Sequence, residues 1–171
     1  KETRMDIKIA DTPEKFCSLA QELVPPLVEL LRARNDLERE IHQRFQALEA
    51  EKPSLGLPKH QMHPDDPALW EEYRRRYLEL VEPRCVPGLL KYGAAGSCGK
   101  PARYDTLFED PEGQVIFTMK SAKKATVETT CRKSWEYRYR FTLKPTEGGW
   151  LIAGIQCCFG GDSSWSVEHY V

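Results

Sequence analysis

No stretch of this chain approaches the roughly 18 consecutive apolar residues that would carry a helix across a bilayer, so no transmembrane helix is predicted. An excess of one charge is also missing. Lys and Arg number 25 against 26 Asp and Glu, a formal net charge of −1. A general polyanion binder normally shows a strong basic surplus, so nucleic acid is an unpromising partner. Cysteine is present, at 17, 85, 98, 131, 157 and 158, but no two of these form a CxxC pair. That spacing excludes a recognisable zinc site or small disulfide scaffold. The reading is buried or half-buried thiols in a reducing cytoplasm, with Cys157 and Cys158 leaving opposite faces of one strand. Internal repeats and low-complexity tracts are lacking as well. The opening residues KETRMDIK are too charged for a secretory signal and are set aside from the fold reasoning.

Catalytic signatures are equally scarce. The segment 93–100, GAAGSCGK, has the flavour of a phosphate loop, but Ala94 stands where its first glycine belongs and Pro101 replaces the Ser or Thr that binds magnesium. No strand precedes it to aim its amides. His60 and His63 share a loop with Asp65 and Asp66, without a third imidazole or a helix to put them on one face, and read as surface residues rather than metal ligands. His42 belongs to a charged helix and His169 to the last residues; neither accompanies a GxSxG elbow, so no triad is proposed. Asp105, beside Tyr104, is the one carboxylate nominated as a general base tuned by burial.

What is present is a run of strands. In segment 135–144, WEYRYRFTLK, Trp135, Tyr137, Tyr139, Phe141 and Leu143 share one parity, and Glu136, Arg138, Arg140, Thr142 and Lys144 the other. Successive strand side chains point to opposite faces, which predicts an aromatic buried face and a charged wet one. Strands are also read over 114–120, 125–131 and 150–157, with a glycine-bearing hairpin turn at 145–149.

The first half of the chain reads as helices. Asp11 or Thr12 caps the first, with Pro13 in its opening turn. Phe16, Leu19, Ala20 and Leu23 make an apolar face, and Pro25-Pro26 is expected to kink or break it. The pattern resumes through Leu27, Leu30, Leu31, Leu37, Ile41, Phe45 and Leu48, and the mixed charges of 32–51 read as a solvated face. Residues 52–66 form a loop. Asp65-Asp66-Pro67 starts a third helix bearing Leu69, Trp70, Tyr73, Tyr77, Leu80 and Val81 and ending before Pro83. Residues 83–101 are an irregular connection. Helices followed by antiparallel strands predict an α+β fold, one domain over 1–171, with a helical half at 11–101 covering a curved sheet at 102–165.

Between 120 and 144 the sheet carries Lys120, Lys123, Lys124, Arg132, Lys133, Arg138, Arg140 and Lys144 against Glu128 and Glu136. Such a bias steers an anionic partner, or is simply the wet face of a sheet whose edge lysines discourage aggregation.

The segments IFTMKSAKKATVET (116–129), YRFTLK (139–144) and GWLI (149–152) resemble bacterial immunity proteins of the nuclear-transport-factor-2-like fold. The resemblance covers about residues 102–165. It implies helices packed into the concavity of a strongly bent mixed or antiparallel sheet, and a small cytoplasmic protein that neutralises a cognate toxin by direct binding, without catalysis, cofactor or metal. Relatives carry a lysine-rich tail after the Gly-Trp strand, where this chain has IQCCFGGD. The residues expected to meet the toxin are Glu128, Glu136, Arg138 and Arg140, with the loop 52–66 as the other candidate contact. The alternative from another class is a small-molecule enzyme or binding protein, isomerase- or dehydratase-like, using the cone as its pocket; an RNA-binding sheet is a third.

Overall fold

The computed structural model of the protein describes residues 5–91, 98–131 and 137–171. A short strand β1 (Asp6–Ile9) is followed by the one-turn α1 (Glu14–Cys17), the long α2 (Ala20–Glu51), α3 (Asp66–Val81) and the short α4 (Asp105–Glu109). Then come β2 (Gln114–Ser121), β3 (Lys124–Thr130), β4 (Tyr137–Thr146), β5 (Gly149–Phe159) and β6 (Ser166–Val167). The fold is α+β. The six strands among the described residues form one sheet in chain order that does not close on itself. Neighbouring pairs are antiparallel except the first, where β1 runs parallel to β2, so the sheet is mixed. No helix among the described residues is long and apolar enough to cross a membrane.

The two faces follow the alternation. Phe117, Val127, Phe141 and Ile155 lie side by side on the inner face and are fully buried. Ile116, Glu128, Arg140 and Gln156 make the matching outer row. Register shifts after Thr118 and after Thr142 interrupt the ladders, and such bulges bend and twist the strands that carry them. The hairpin turn is tighter than 145–149: Pro145 still pairs with Trp150, and Thr146 with Gly149, whose φ of 116° suits glycine.

Alternation predicted Tyr137 to be buried, and it is not: it is 52% exposed. Parity sets the face a side chain leaves from, but burial needs something opposite. Tyr139 has the Tyr104 ring against it at 5.0 Å, whereas Tyr137 packs edge-on to Phe159 at 4.9 Å, itself exposed. Trp135, the start of the predicted strand, lies outside the described residues.

The helical half differs from expectation at the prolines. Pro25 and Pro26 sit inside α2, which runs through them unbroken for 32 residues; the break falls earlier, between α1 and α2. The carbonyls deprived of donors belong to Gln21 and Glu22, both exposed, so water can take their place. Buried Leu23, Val24, Leu27 and Val28 hold this part of the helix in the core.

The polar face of α2 is only partly solvated. Arg34, Asn35 and Glu38 are buried, contrary to the solvated-face expectation, because they satisfy main-chain groups of other segments. Arg34 Nε donates to the Val171 main-chain oxygen at 3.0 Å, and Asn35 Oδ1 accepts from Tyr104 N at 2.8 Å. α3 begins and ends as the capping and proline signals predict. Its Tyr73, Tyr77 and Val81 join Leu27, Leu31 and Ile41 of α2 and the inner sheet face in one apolar cluster.

Three elements were not legible. β1 falls in the charged segment set aside, and β6 beyond the predicted end of the sheet at 165. α4 is a helical turn inside the half assigned to strands.

Candidate functional site

The register sets Arg140 between Glu128 on β3 and Gln156 on β5. Its Nε donates to Glu128 Oε1 at 2.7 Å and its Nη1 to Gln156 Oε1 at 3.4 Å. The guanidinium lies 4.0 Å from the Trp165 ring centroid, and that of Arg138 lies 5.2 Å from the same ring. Arg138 Nη2 also donates to the Asp162 carbonyl at 3.2 Å. The segment after β5 therefore folds back over the outer face and is held there by both arginines, which stack on an aromatic ring as guanidinium groups favour. Glu128, Arg138 and Arg140 are thus brought together; Glu136 lies outside the described residues.

Exposed apolar side chains flank this group. Tyr137 and Phe159 are 52% and 51% exposed, and Val167 on β6 is 67% exposed. At this end of the β4–β5 ladder Tyr137 and Phe159 leave the inner face with Tyr139, whereas Arg138 and Arg140 stack on Trp165 on the outer one. Aromatic and arginine side chains in such proximity are the usual anchors of protein interfaces. Trp165 escaped the sequence reading because residues 160–165 have no periodicity that says where they return.

The opposite, inner face holds a polar cavity of about 290 Å³ lined by Arg34, Glu38, Arg103, Tyr104, Tyr139 and Tyr170, among others. A second hollow of about 430 Å³ shares Arg103, Tyr137, Tyr139 and Tyr170 with it and adds Cys157, Phe159 and Glu168, among others. Arg103 stands over the rings of Tyr170 at 4.3 Å and Tyr139 at 4.6 Å and donates to Glu168 Oε2 at 3.1 Å. Burial pushes the Tyr139 phenol well above its ordinary range. Burial, then the Glu168 carboxylate, push the Cys157 thiol up to about 11. A thiol held protonated in this way is a hydrogen-bond donor and a poor nucleophile.

The carboxylates around the cavity are engaged. Glu38 pairs with Arg34 Nη1 and accepts from the amides of Arg103 at 3.1 Å and Gly99 at 3.3 Å. Asp105, nominated as a base, accepts from Asn35 Nδ2 at 2.7 Å, the amide of Ala102 at 2.7 Å, and Arg39 Nη2. It anchors the loop before α4 to α2 and does not line the cavity.

The loop histidines part company. His60 is exposed, whereas His63 is buried, its amide donating to Asp66 Oδ2 and its Nδ1 accepting from Asp65 N, both at 3.0 Å. This local ring of bonds shapes the start of α3, which explains a histidine that sequence reading placed on the surface. Among the described residues no group of His, Cys, Asp and Glu could hold a metal ion. No disulfide joins the cysteines. Of the basic set, Lys120, Lys123, Lys124 and Lys144 are exposed, and Arg132 and Lys133 lie outside the described residues.

Compared with known proteins, the chain matches no family model, no curated protein and no solved structure. The arrangement offers an arginine and tryptophan surface on the outer face. On the inner face it offers a polar hollow rimmed by the exposed Tyr137 and Phe159, where the Glu38 and Glu168 carboxylates already have partners.

Proposed function

We propose that the protein is an immunity protein that binds and neutralises a cognate bacterial toxin in the cytoplasm, without catalysis and without a cofactor. The reading rests on the sheet segments that resemble nuclear-transport-factor-2-like immunity proteins. The observation that carries it is the outer-face stack of Arg138 and Arg140 on Trp165, with Tyr137 and Phe159, 52% and 51% exposed, on the inner side of the same sheet end. We take the helices against the bent sheet as the cone of that fold, which leaves the outer face and the ladder end for recognition. Glu128 and Arg140, paired at 2.7 Å, supply both charge signs beside the aromatic anchors.

The test is to express the protein in sensitive cells together with the toxin encoded beside it. Survival is expected, with binding of the purified pair; killing that continues despite soluble protein overturns the proposal.

A second reading, a small-molecule site in the inner hollow, has one observation in its favour: a cavity of about 290 Å³ beside the buried Arg103. Arg103 already pairs with Glu168, and Glu38 and Asp105 are engaged, so none of these three carboxylates stands ready as a base. Titration with a panel of small carbonyl compounds followed by calorimetry separates the readings: saturable binding that does not compete with the toxin favours the second.

A further inference from the structure

β1 ends the sheet, so no described strand pairs with its outer edge. Exposed edges of this kind are templates for another strand, and proteins usually blunt them with charge. The Ala10 amide donates to the Phe117 carbonyl at 2.9 Å. Alternation along a strand parallel to β2 then turns the main-chain groups of Asp6 and Lys8 toward β2, and those of Ile7 and Ile9 toward the open edge. The available donors and acceptors are thus centred on Ile7.

We infer that this edge pairs with the same edge of a second copy of the chain, antiparallel and centred on Ile7, to give a continuous sheet across a twofold axis. In that register the two Ile7 residues exchange main-chain hydrogen bonds and Met5 stands opposite Ile9 of the second copy. Asp6 stands opposite Lys8, and Lys8 opposite Asp6. The outer face, where Asp6 and Lys8 are exposed beside Gln114 and Ile116, gains two opposite-charge pairs. They fall at the non-hydrogen-bonded positions, where side chains approach most closely. The inner face meets with apolar side chains: Met5 and Ile7 already pack against the core, and Ile9 is 40% exposed.

The alternation Met5-Asp6-Ile7-Lys8-Ile9 is complementary to itself in this one register. A lone lysine on the edge would repel its own copy; here Asp6, two residues away on the same face, cancels it. A contact of so few residues lies at the small end of specific interfaces, so the dimer is weak and concentration-dependent. It also leaves the β4–β6 end of each copy free, because β1 is at the other edge of the sheet.

Sedimentation of the intact chain over a concentration series tests the inference, with circular dichroism to check that each variant is folded. The wild type is expected to shift from monomer to dimer as concentration rises. D6K replaces both attractive pairs by lysine against lysine and should weaken dimerisation about tenfold or more. The exchange D6K/K8D restores opposite charges and should restore the dimer. A wild type that stays monomeric, a D6K variant that dimerises as well as wild type, or an exchange variant that fails to recover would each overturn it.

Discussion

Glu168 accepts two hydrogen bonds at once, from Arg103 Nη2 at 3.1 Å on one oxygen and from Cys157 Sγ at 3.2 Å on the other. One carboxylate thereby joins the loop before α4, strand β5 and the segment after β6. It also bears on the thiol, whose pKa is lifted to about 11 by burial first and by Glu168 second. In Glu168→Gln the carboxylate charge is gone while the burial remains. The pH at which Cys157 becomes reactive should therefore fall, yet stay above the ordinary 9.0. Alkylation of Cys157 with iodoacetamide across pH 8–12, read by peptide mass spectrometry, measures it; identical profiles for the two proteins would refute the link.

Alkaline pH should undo the fold through several groups together. Burial lifts Cys85 to about 12 and, with Glu168, Cys157 to about 11, and it raises the phenols of Tyr77 and Tyr139. Each group binds its proton more tightly folded than unfolded. Its stabilising contribution is therefore complete below the unfolded-state value, near 9 for the thiols, and is lost as pH rises through the folded one. Urea midpoints should hold level to about pH 9 and then decline steadily through pH 11.

Glu38 is the partner that makes a buried Arg34 tolerable. Arg34 is 2% exposed, and Glu38 also takes the amides of Arg103 and Gly99. Glu38→Ala leaves a buried cation and two amides without their acceptor, and should cost about 3–5 kcal/mol in urea unfolding. Arg34→Met with Glu38→Leu leaves the same two amides without an acceptor but no buried charge, and should cost less than Glu38→Ala.

Trp165 and Arg140 should matter more to recognition than to folding. Cation–π contacts at partly exposed sites and surface ion pairs are each worth about 1 kcal/mol or less. Trp165→Ala and Arg140→Ala should therefore shift thermal unfolding only slightly. If these side chains anchor the toxin, each should weaken its binding by about 2 kcal/mol or more in calorimetry. Losses confined to stability would place the contact elsewhere, with the 52–66 loop the next segment to mutate.

The strands from Gln114 to Phe159 were legible from their apolar, β-branched and aromatic runs, and on β4 parity put Tyr139, Phe141 and Leu143 in the core where they lie. On β5 the shift after Thr142 breaks the period of two, so that Ile152 and Ile155, three residues apart, both face inward. α3 was legible for a similar reason, with Pro67 at its start and Pro83 just past its end. Burial of Arg34, Asn35 and Glu38 was not, since their partners at Val171, Tyr104 and Arg103 are far away in sequence and no helical period marks them. Strand β1 was hidden by its composition: Asp6 and Lys8 read as solvent-loving, and its pairing depends on what β2 offers. Of the recognition surface, the arginines were visible as wet-face residues. Trp165, which orders them, was not, because a chain reversal after Phe159 leaves no pattern.

Two buried tyrosines on one face of α3 make the sharpest contrast. Tyr77 donates to the Val171 main-chain oxygen at 3.1 Å and accepts from the Val171 amide at 2.7 Å, whereas the hydroxyl of Tyr73 is buried with no hydrogen-bond partner among the described residues. Both rings are essentially inaccessible, at 0% and 1% exposure, so the ring contributes equally to burial in either case and the hydroxyl decides. Removing the Tyr77 oxygen strands the buried Val171 amide, while the Val171 oxygen keeps its bond from Arg34 Nε, and Tyr77→Phe should lose about 1–3 kcal/mol. Removing the Tyr73 oxygen relieves an unmade bond, so Tyr73→Phe should be neutral or more stable than wild type. Urea unfolding of the two variants side by side decides it: a Tyr73→Phe loss as large as that of Tyr77→Phe would mean that the Tyr73 hydroxyl has a partner after all.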